Sequence, residues 1–216
     1  MSKKQIRYIL SGVGVVIVVI IVLIYSNLFG ISIKVDNRRV IFIPTGSSYE
    51  QVLDTLCSNL NIENRKALDW VAKKKKYPVL IKPGRYVVDA DLSYIGLINL
   101  LRSGRQKPVR ITFNNIRTLN QIAGKIGKQI ETDSIRLINF LSDDTNYSSD
   151  GFTKENIIAL FIPDTYEIYW NTDARGLYTR MLKEYNSFWD DQRLAKAKEK
   201  GLNPKEVAIL ASIIDD

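Results

Sequence analysis

The sequence predicts an α+β protein that begins with an N-terminal transmembrane helix, and three observations predict it. Residues 8–30 carry no charge and are dense in Val and Ile, enough chain to span a bilayer. Short β-branched or alternating runs stand at residues 39–43, 85–88 and 108–113, which read as strands. Between them lie longer stretches with apolar residues at helical spacing, most of them opened by a capping Ser, Thr, Asp or Asn.

The anchor comes first. Lys3, Lys4 and Arg7 precede the apolar run, and its densest part is Val13 to Tyr25. A cleaved signal peptide needs a shorter apolar region and a small-residue cleavage site, and Ser26-Asn27-Leu28-Phe29-Gly30 offers none. The expectation is a cytoplasmic tail over 1–7 and an uncleaved anchor over 8–30. The positive-inside rule then keeps the N-terminus inside and places the body on the extracytoplasmic side of the cytoplasmic (inner) membrane, as a single-pass protein.

Composition narrows the chemistry. There is no histidine, which removes Ser-His and Cys-His catalysis and most zinc sites. The lone Cys57 cannot form an internal disulfide; set among Val52, Leu53, Leu56 and Leu60, it reads as a small core residue. Of the formal charge of +8, three charges precede the anchor, leaving a mild excess of +5. No nucleic-acid-binding motif accompanies it, so no nucleic-acid partner is expected. Acid/base work falls to carboxylates, tyrosine or lysine.

In the first module, Arg39-Val40-Ile41-Phe42-Ile43 is a strand ended by Pro44-Thr45-Gly46. Ser47 and Glu50 make a capping box for a helix to about Leu60. A second helix runs from about Glu63 to Lys75, and its Lys73–Lys76 run suits a solvated C-terminal end. Lys82-Pro83-Gly84 turns the chain into Arg85-Tyr86-Val87-Val88. This strand-helix-helix-strand order, βααβ, resembles a LysM domain, a glycan-binding module; a small α+β spacer is the other reading the residues allow. A helix starting at Asp91-Leu92-Ser93 closes the module, with Ile95, Ile98 and Leu101 on one face and Gly104 as its C-cap.

In the second module, Pro108 to Phe113 alternates as a half-buried strand. Thr118 and Gln121 box a helix bearing Leu119, Ile122, Ala123 and Ile126. A further helix from Asp133 carries Ile135, Ile138, Phe140 and Leu141, and Ser142 to Gly151 is a loop. The apolar run Ile157 to Ile162 leads into Pro163-Asp164-Thr165-Tyr166-Glu167-Ile168-Tyr169-Trp170. Its rings suit stacking on sugars or packing in a core, and Asp164 after Pro163 can close a turn. Last comes a helix capped by Asn203, with Pro204 in its first turn, Glu206 closing a capping box, and Val207, Leu210, Ala211 and Ile214 on a buried stripe.

Four of these stretches, in this order, resemble the MltG/YceG-like family of endolytic murein transglycosylases. They are the anchor, Lys82-Pro83-Gly84-Arg85-Tyr86 with Leu100-Leu101-Arg102-Ser103-Gly104, then Phe161-Ile162-Pro163-Asp164-Thr165-Tyr166, and finally Leu210-Ala211-Ser212-Ile213-Ile214-Asp215. Asn114-Asn115 stand where the family has Glu-Gly, and Asp215 stands for the first Glu of its last motif. The resemblance implies a LysM-like module over 39–104 and the N-terminal, incomplete part of a transglycosylase catalytic domain over 105–216. It implies a lytic transglycosylase, a lyase that cleaves β-1,4 bonds between N-acetylmuramic acid and N-acetylglucosamine inside peptidoglycan strands and leaves 1,6-anhydro ends, in cell-wall synthesis.

The same resemblance puts the catalytic glutamate immediately after Asp216, so no residue of these 216 is the expected acid and the chain as given is expected to be inactive. Asp215 and Asp216, adjacent on a helix, point about 100° apart and do not face each other. Asp164, Tyr166, Glu167, Trp170 and Ser212 are the expected substrate-binding residues. No metal or organic cofactor is implied. The implied partners are peptidoglycan glycan strands, the cytoplasmic membrane and cell-wall synthesis enzymes. The alternative is a non-catalytic, membrane-anchored peptidoglycan-binding or scaffold protein.

Overall fold

A computed structural model describes residues 12–20, 23, 33, 37–90, 92–114 and 116–214, with the backbone alone for 212–214. Helix α1, described over residues 12–20, is apolar and exposed. At 1.5 Å per residue it covers roughly 14 Å of the about 30 Å of a hydrocarbon core. Among the described residues no helix is long and apolar enough to cross a membrane. This corrects the expected transmembrane helix over 8–30, of which residues 8–11, 21–22 and 24–30 lie outside those described. The correction also removes the basis for a single-pass, N-terminus-inside placement in the cytoplasmic membrane. What the structure shows is α+β, with helices and two small sheets.

The chain divides into two compact units, Met1–Lys107 and Pro108–Asp216. In unit 1, β1 (Arg39–Ile43) pairs antiparallel with β2 (Gly84–Val88), placing Ile41 opposite Tyr86. A two-stranded ribbon is marginal by itself and needs helices on one face. Those helices are α2 (Tyr49–Leu60), α3 (Arg65–Lys74) and α4 (Tyr94–Ser103), with a 3-10 turn at Tyr77–Val79. Ile41, Ile43, Leu56, Leu68, Tyr86 and Leu97 are among the residues buried between them.

The first cap falls one residue later than expected. Ser48, not Ser47, is the N-cap of α2, and Gln51, not Glu50, completes the box. The Ser47 hydroxyl instead donates to the Pro44 carbonyl at 2.8 Å, closing the preceding turn. Asn64 caps α3 and Ser93 caps α4; Asp91 lies outside the described residues. Gly104 ends α4 in the left-handed conformation, φ 71°, as its type predicts.

In unit 2, β3 (Val109–Phe113) pairs antiparallel with β4 (Asp164–Ile168), Ile111 opposite Tyr166. The helices are α5 (Leu119–Ile126), α6 (Ser134–Ser142), α7 (Ala174–Phe188), α8 (Asp191–Glu199) and α9 (Pro204–Ile214). The Thr118–Gln121 box forms as the sequence predicts, and Asp133 caps α6. Ile135 is not inward: it is 70 % exposed, because α6 turns Leu137 and Leu141 to the core. The stretch 142–151 is more ordered than a loop, with 3-10 turns at Asp144–Asn146 and Ser148–Asp150.

Two glycines carry opposite expectations. Gly84 sits at φ 146°, and a Cβ there would lie 2.4 Å from the Gln106 side-chain oxygen. Gly124 is inside α5, where a Cβ would meet nothing within 4 Å. In urea unfolding, Gly84→Ala should lower stability by about 1–3 kcal/mol, and Gly124→Ala should raise it by about 0.5–1 kcal/mol.

Candidate functional site

The expected site residues cluster on β4 and just beyond it. Alternation along the strand sorts them. Tyr166 and Ile168 turn inward with Ile111 and Phe113, while Thr165 and Glu167 turn outward with Arg110 and Thr112. On the outer face Thr112 and Thr165 share a hydroxyl hydrogen bond of 2.7 Å, and Glu167 stands opposite Arg110.

Tyr166 is a core residue, 6 % exposed. Its ring packs 5.5 Å from that of Phe113, and its hydroxyl donates to the Ile162 carbonyl at 2.8 Å. Burial, reinforced by the Asp164 and Glu184 carboxylates, pushes this phenol up to about 12. Asp164 is exposed at the start of β4, where its Oδ1 accepts from the adjacent Thr165 amide at 2.6 Å. Asp164 and Glu167 are three residues apart on a strand and so lie on opposite faces. They do not form the facing carboxylate pair that a two-acid glycosidase requires.

Tyr169 is 54 % exposed and Trp170 half-buried; the Trp170 carbonyl accepts from the Glu131 amide at 2.7 Å. Next to them, Thr132 Oγ1 donates to the Thr172 carbonyl at 2.9 Å. These bonds tie the residues before α6 to the exit of β4.

Helix α9 starts as its sequence requires. The Asn203 amide donates to Glu206 at 2.8 Å, and Asn203 Oδ1 accepts from the Glu206 amide at 3.1 Å. Its expected buried stripe is corrected: Leu210 is 43 % exposed and Ala211 is exposed, with Val207 and Ala208 only half-buried. The reason is what it packs on, α8 and the 3-10 turn Ile157–Leu160, both small. Ser212 is helical in backbone; its side chain, with Asp215 and Asp216, lies outside the described residues.

Some residues had no role in the sequence reading. Lys205 Nζ donates to the Gly151 carbonyl and lies 4.6 Å from the centre of the Phe152 ring. A cation in the first turn of a helix opposes the macrodipole, and that anomaly was the available signal for a partner. Tyr178 donates to Asp150 at 2.7 Å, and burial and that carboxylate raise its phenol strongly. In unit 1, Trp70 is 48 % exposed with Lys74 Nζ 5.6 Å from its ring centre, an arrangement one turn apart on α3 that helical spacing foreshadows. Among the described residues no group of three or more His, Cys, Asp or Glu could hold a metal ion.

Comparison with known proteins gives three findings. A model described as the YceG-like family matches residues 41–216. No curated protein matches. A crystal structure of a yceG-like protein from Listeria monocytogenes aligns at 16 % identity and TM-score 0.39, covering 78 % of this chain and 60 % of that one. The chain thus spans about 60 % of that protein's length.

The phenol of Tyr166 sets a testable pH dependence. Its folded pKa, about 12, exceeds the unfolded value near 10. The stability it contributes is therefore complete below about pH 10 and is lost as pH rises from there towards 12. Unfolding free energies measured between pH 8 and 11.5 should fall at the alkaline end, and less steeply in Tyr166→Phe. The same variant should lose about 1 kcal/mol at pH 7 through the missing hydrogen bond to Ile162.

Proposed function

This chain belongs to the YceG-like family, and from that premise we propose that it serves an endolytic murein transglycosylase. The match over residues 41–216 carries the reading. The substrate class is peptidoglycan, cut at the β-1,4 bond between N-acetylmuramic acid and N-acetylglucosamine within strands. One protonated carboxyl gives its proton to the glycosidic oxygen as the C1–O bond breaks; the carboxylate so formed then takes the proton of the muramic 6-hydroxyl as that oxygen attacks the anomeric carbon and yields the 1,6-anhydro end. Such an acid needs a partly desolvated setting to stay protonated near neutral pH.

The roles proposed for this chain are in binding and support. Tyr166 holds β4 in place from the core, leaving Tyr169 and Trp170 beside it as the rings open to a sugar face. In unit 1, the LysM-like reading is supported by an exposed indole, Trp70, beside Lys74, a pairing suited to an acidic sugar.

The test uses purified chain and isolated sacculi. The 216 residues should sediment with sacculi, Trp70→Ala should sediment several-fold less, and mass spectrometry of the supernatant reads any anhydro-ended fragments released. Failure to sediment would remove the glycan reading; release of anhydro ends would show that a residue of this chain is the acid.

A further inference from the structure

The two units repeat each other in element order and in the spacing of capping and buried residues. β1 and β3 align with an offset of 70, so that buried Ile41 and Ile43 correspond to Ile111 and Phe113. In both, the N-cap of the next helix stands five residues past the strand and is boxed by glutamine: Ser48 with Gln51, Thr118 with Gln121. The buried positions of the first helix coincide, Val52, Leu53 and Leu56 with Ile122, Ala123 and Ile126.

The second half repeats with an offset of 80. Tyr86 in β2 and Tyr166 in β4 are both buried, and both hydroxyls donate to the carbonyl four residues earlier, Lys82 at 2.9 Å and Ile162 at 2.8 Å. Each sits in the same local sequence, Pro-x-x-Tyr. Seven residues later comes the next N-cap, Ser93 or Asp173, whose side chain accepts from the amide of a glycine, Gly96 or Gly176. Buried Leu97, Ile98 and Leu101 then match Leu177, Tyr178 and Met181. Packing follows the same scheme: α2 on α3 and α3 on α4, α5 on α6 and α6 on α7.

Apart from a one-residue difference between the N-caps of the first and second helices, Ser48 to Asn64 against Thr118 to Asp133, the copies part in one place. The buried tyrosine after the second helix (Tyr77 or Tyr147) and the carbonyl held by the strand tyrosine (Lys82 or Ile162) are 5 residues apart in unit 1 and 15 in unit 2. That ten-residue excess brings Gly151, Phe152 and the turn Ile157–Leu160. It is also where α9 attaches, through Lys205 on Gly151 and Phe152 and through packing on Ile157–Leu160. We infer that unit 2 is a duplicate of the unit 1 βααβα module, and that the insert between Tyr147 and Ile162 is the added seat that holds helix α9. Lys205 is the positioning residue of that seat. The link to catalysis, that α9 leads towards the reacting carboxyl, rests on the function proposed above; the duplication and the seat do not.

Amide hydrogen exchange on the 216-residue chain tests it and does not depend on any action on glycan. In Lys205→Met, amides of 205–214 should exchange about tenfold faster. Lys205→Arg, which keeps a donor and a cation over Phe152, should restore the wild-type rate. Amides of 109–113 and 164–168 should stay unchanged in both. No acceleration in α9 would overturn the seat, and equal acceleration in the β3–β4 ribbon would show that α9 belongs to the module rather than being added to it. An experimental structure should overlay residues 39–101 on 109–181 with the three helices on the same side of each ribbon. Helices on opposite sides would overturn the duplication.

Discussion

Each unit is closed by one antiparallel strand pair whose members lie far apart in sequence, and the buried core of each unit forms on that closure. Ile41 meets Tyr86 and Ile111 meets Tyr166. Two strands alone bury too little surface to persist, and the entropy of closing such loops must be offset by what the ribbon and helices bury together. The tyrosine at the centre of the second strand serves both needs. Its ring fills the core between ribbon and helices, and its hydroxyl fixes the turn that leads into the strand. A phenylalanine would fill the same volume but leave the Lys82 or Ile162 carbonyl without that donor.

The same alternation that buries Tyr166 determines what β4 can do on its surface. Since inward and outward positions alternate, Asp164 and Glu167 are held on different faces, and Tyr169 and Trp170 come at the strand end where the ribbon no longer covers them. The stretch Phe161–Tyr166 is thus largely a structural element: Phe161 and Tyr166 are buried on Phe113, and Asp164 bonds the Thr165 amide at the entry of the strand. On the function proposed here, contact with glycan falls to neighbours of that stretch. One neighbour is the insert before it, where α9 is clasped by Lys205, a contact between residues 54 apart.

Much of the fold was legible in the residues. The boxes at Thr118–Gln121 and Asn203–Glu206, the caps at Asp133 and Gly104, and the strands β1, β2 and β3 stand where the sequence puts them. Errors came where two local choices were nearly equal. Ser47 and Ser48 are both competent caps, and the turn back to Pro44 decided between them. Ile135 and Leu137 both fit a helical stripe, and the elements packed on α6 chose Leu137. The strand β4 was not foreseen because Pro, Asp and Glu disfavour strands, yet Pro163 precedes the ladder and Glu167 faces out. The apolar stretch at 8–30 shows the converse: composition predicted a spanning helix, and no described helix is long enough to be one.

What the sequence by itself determined is local: helix starts, helix ends, the sorting of apolar from polar faces, and the resemblance that named the family. Those features are decided by groups within about four residues of one another, since a cap, a box and a helical stripe all find their partners in the next turn. The tertiary structure decided what needs a distant partner. It paired Phe113 with Asp164, put Asp164 and Glu167 on opposite faces, left Leu210 exposed, and gave Lys205 its seat on Gly151 and Phe152. No residue near Lys205 in sequence specifies that contact; it exists because the insert of unit 2 brings a carbonyl and a ring to the first turn of α9.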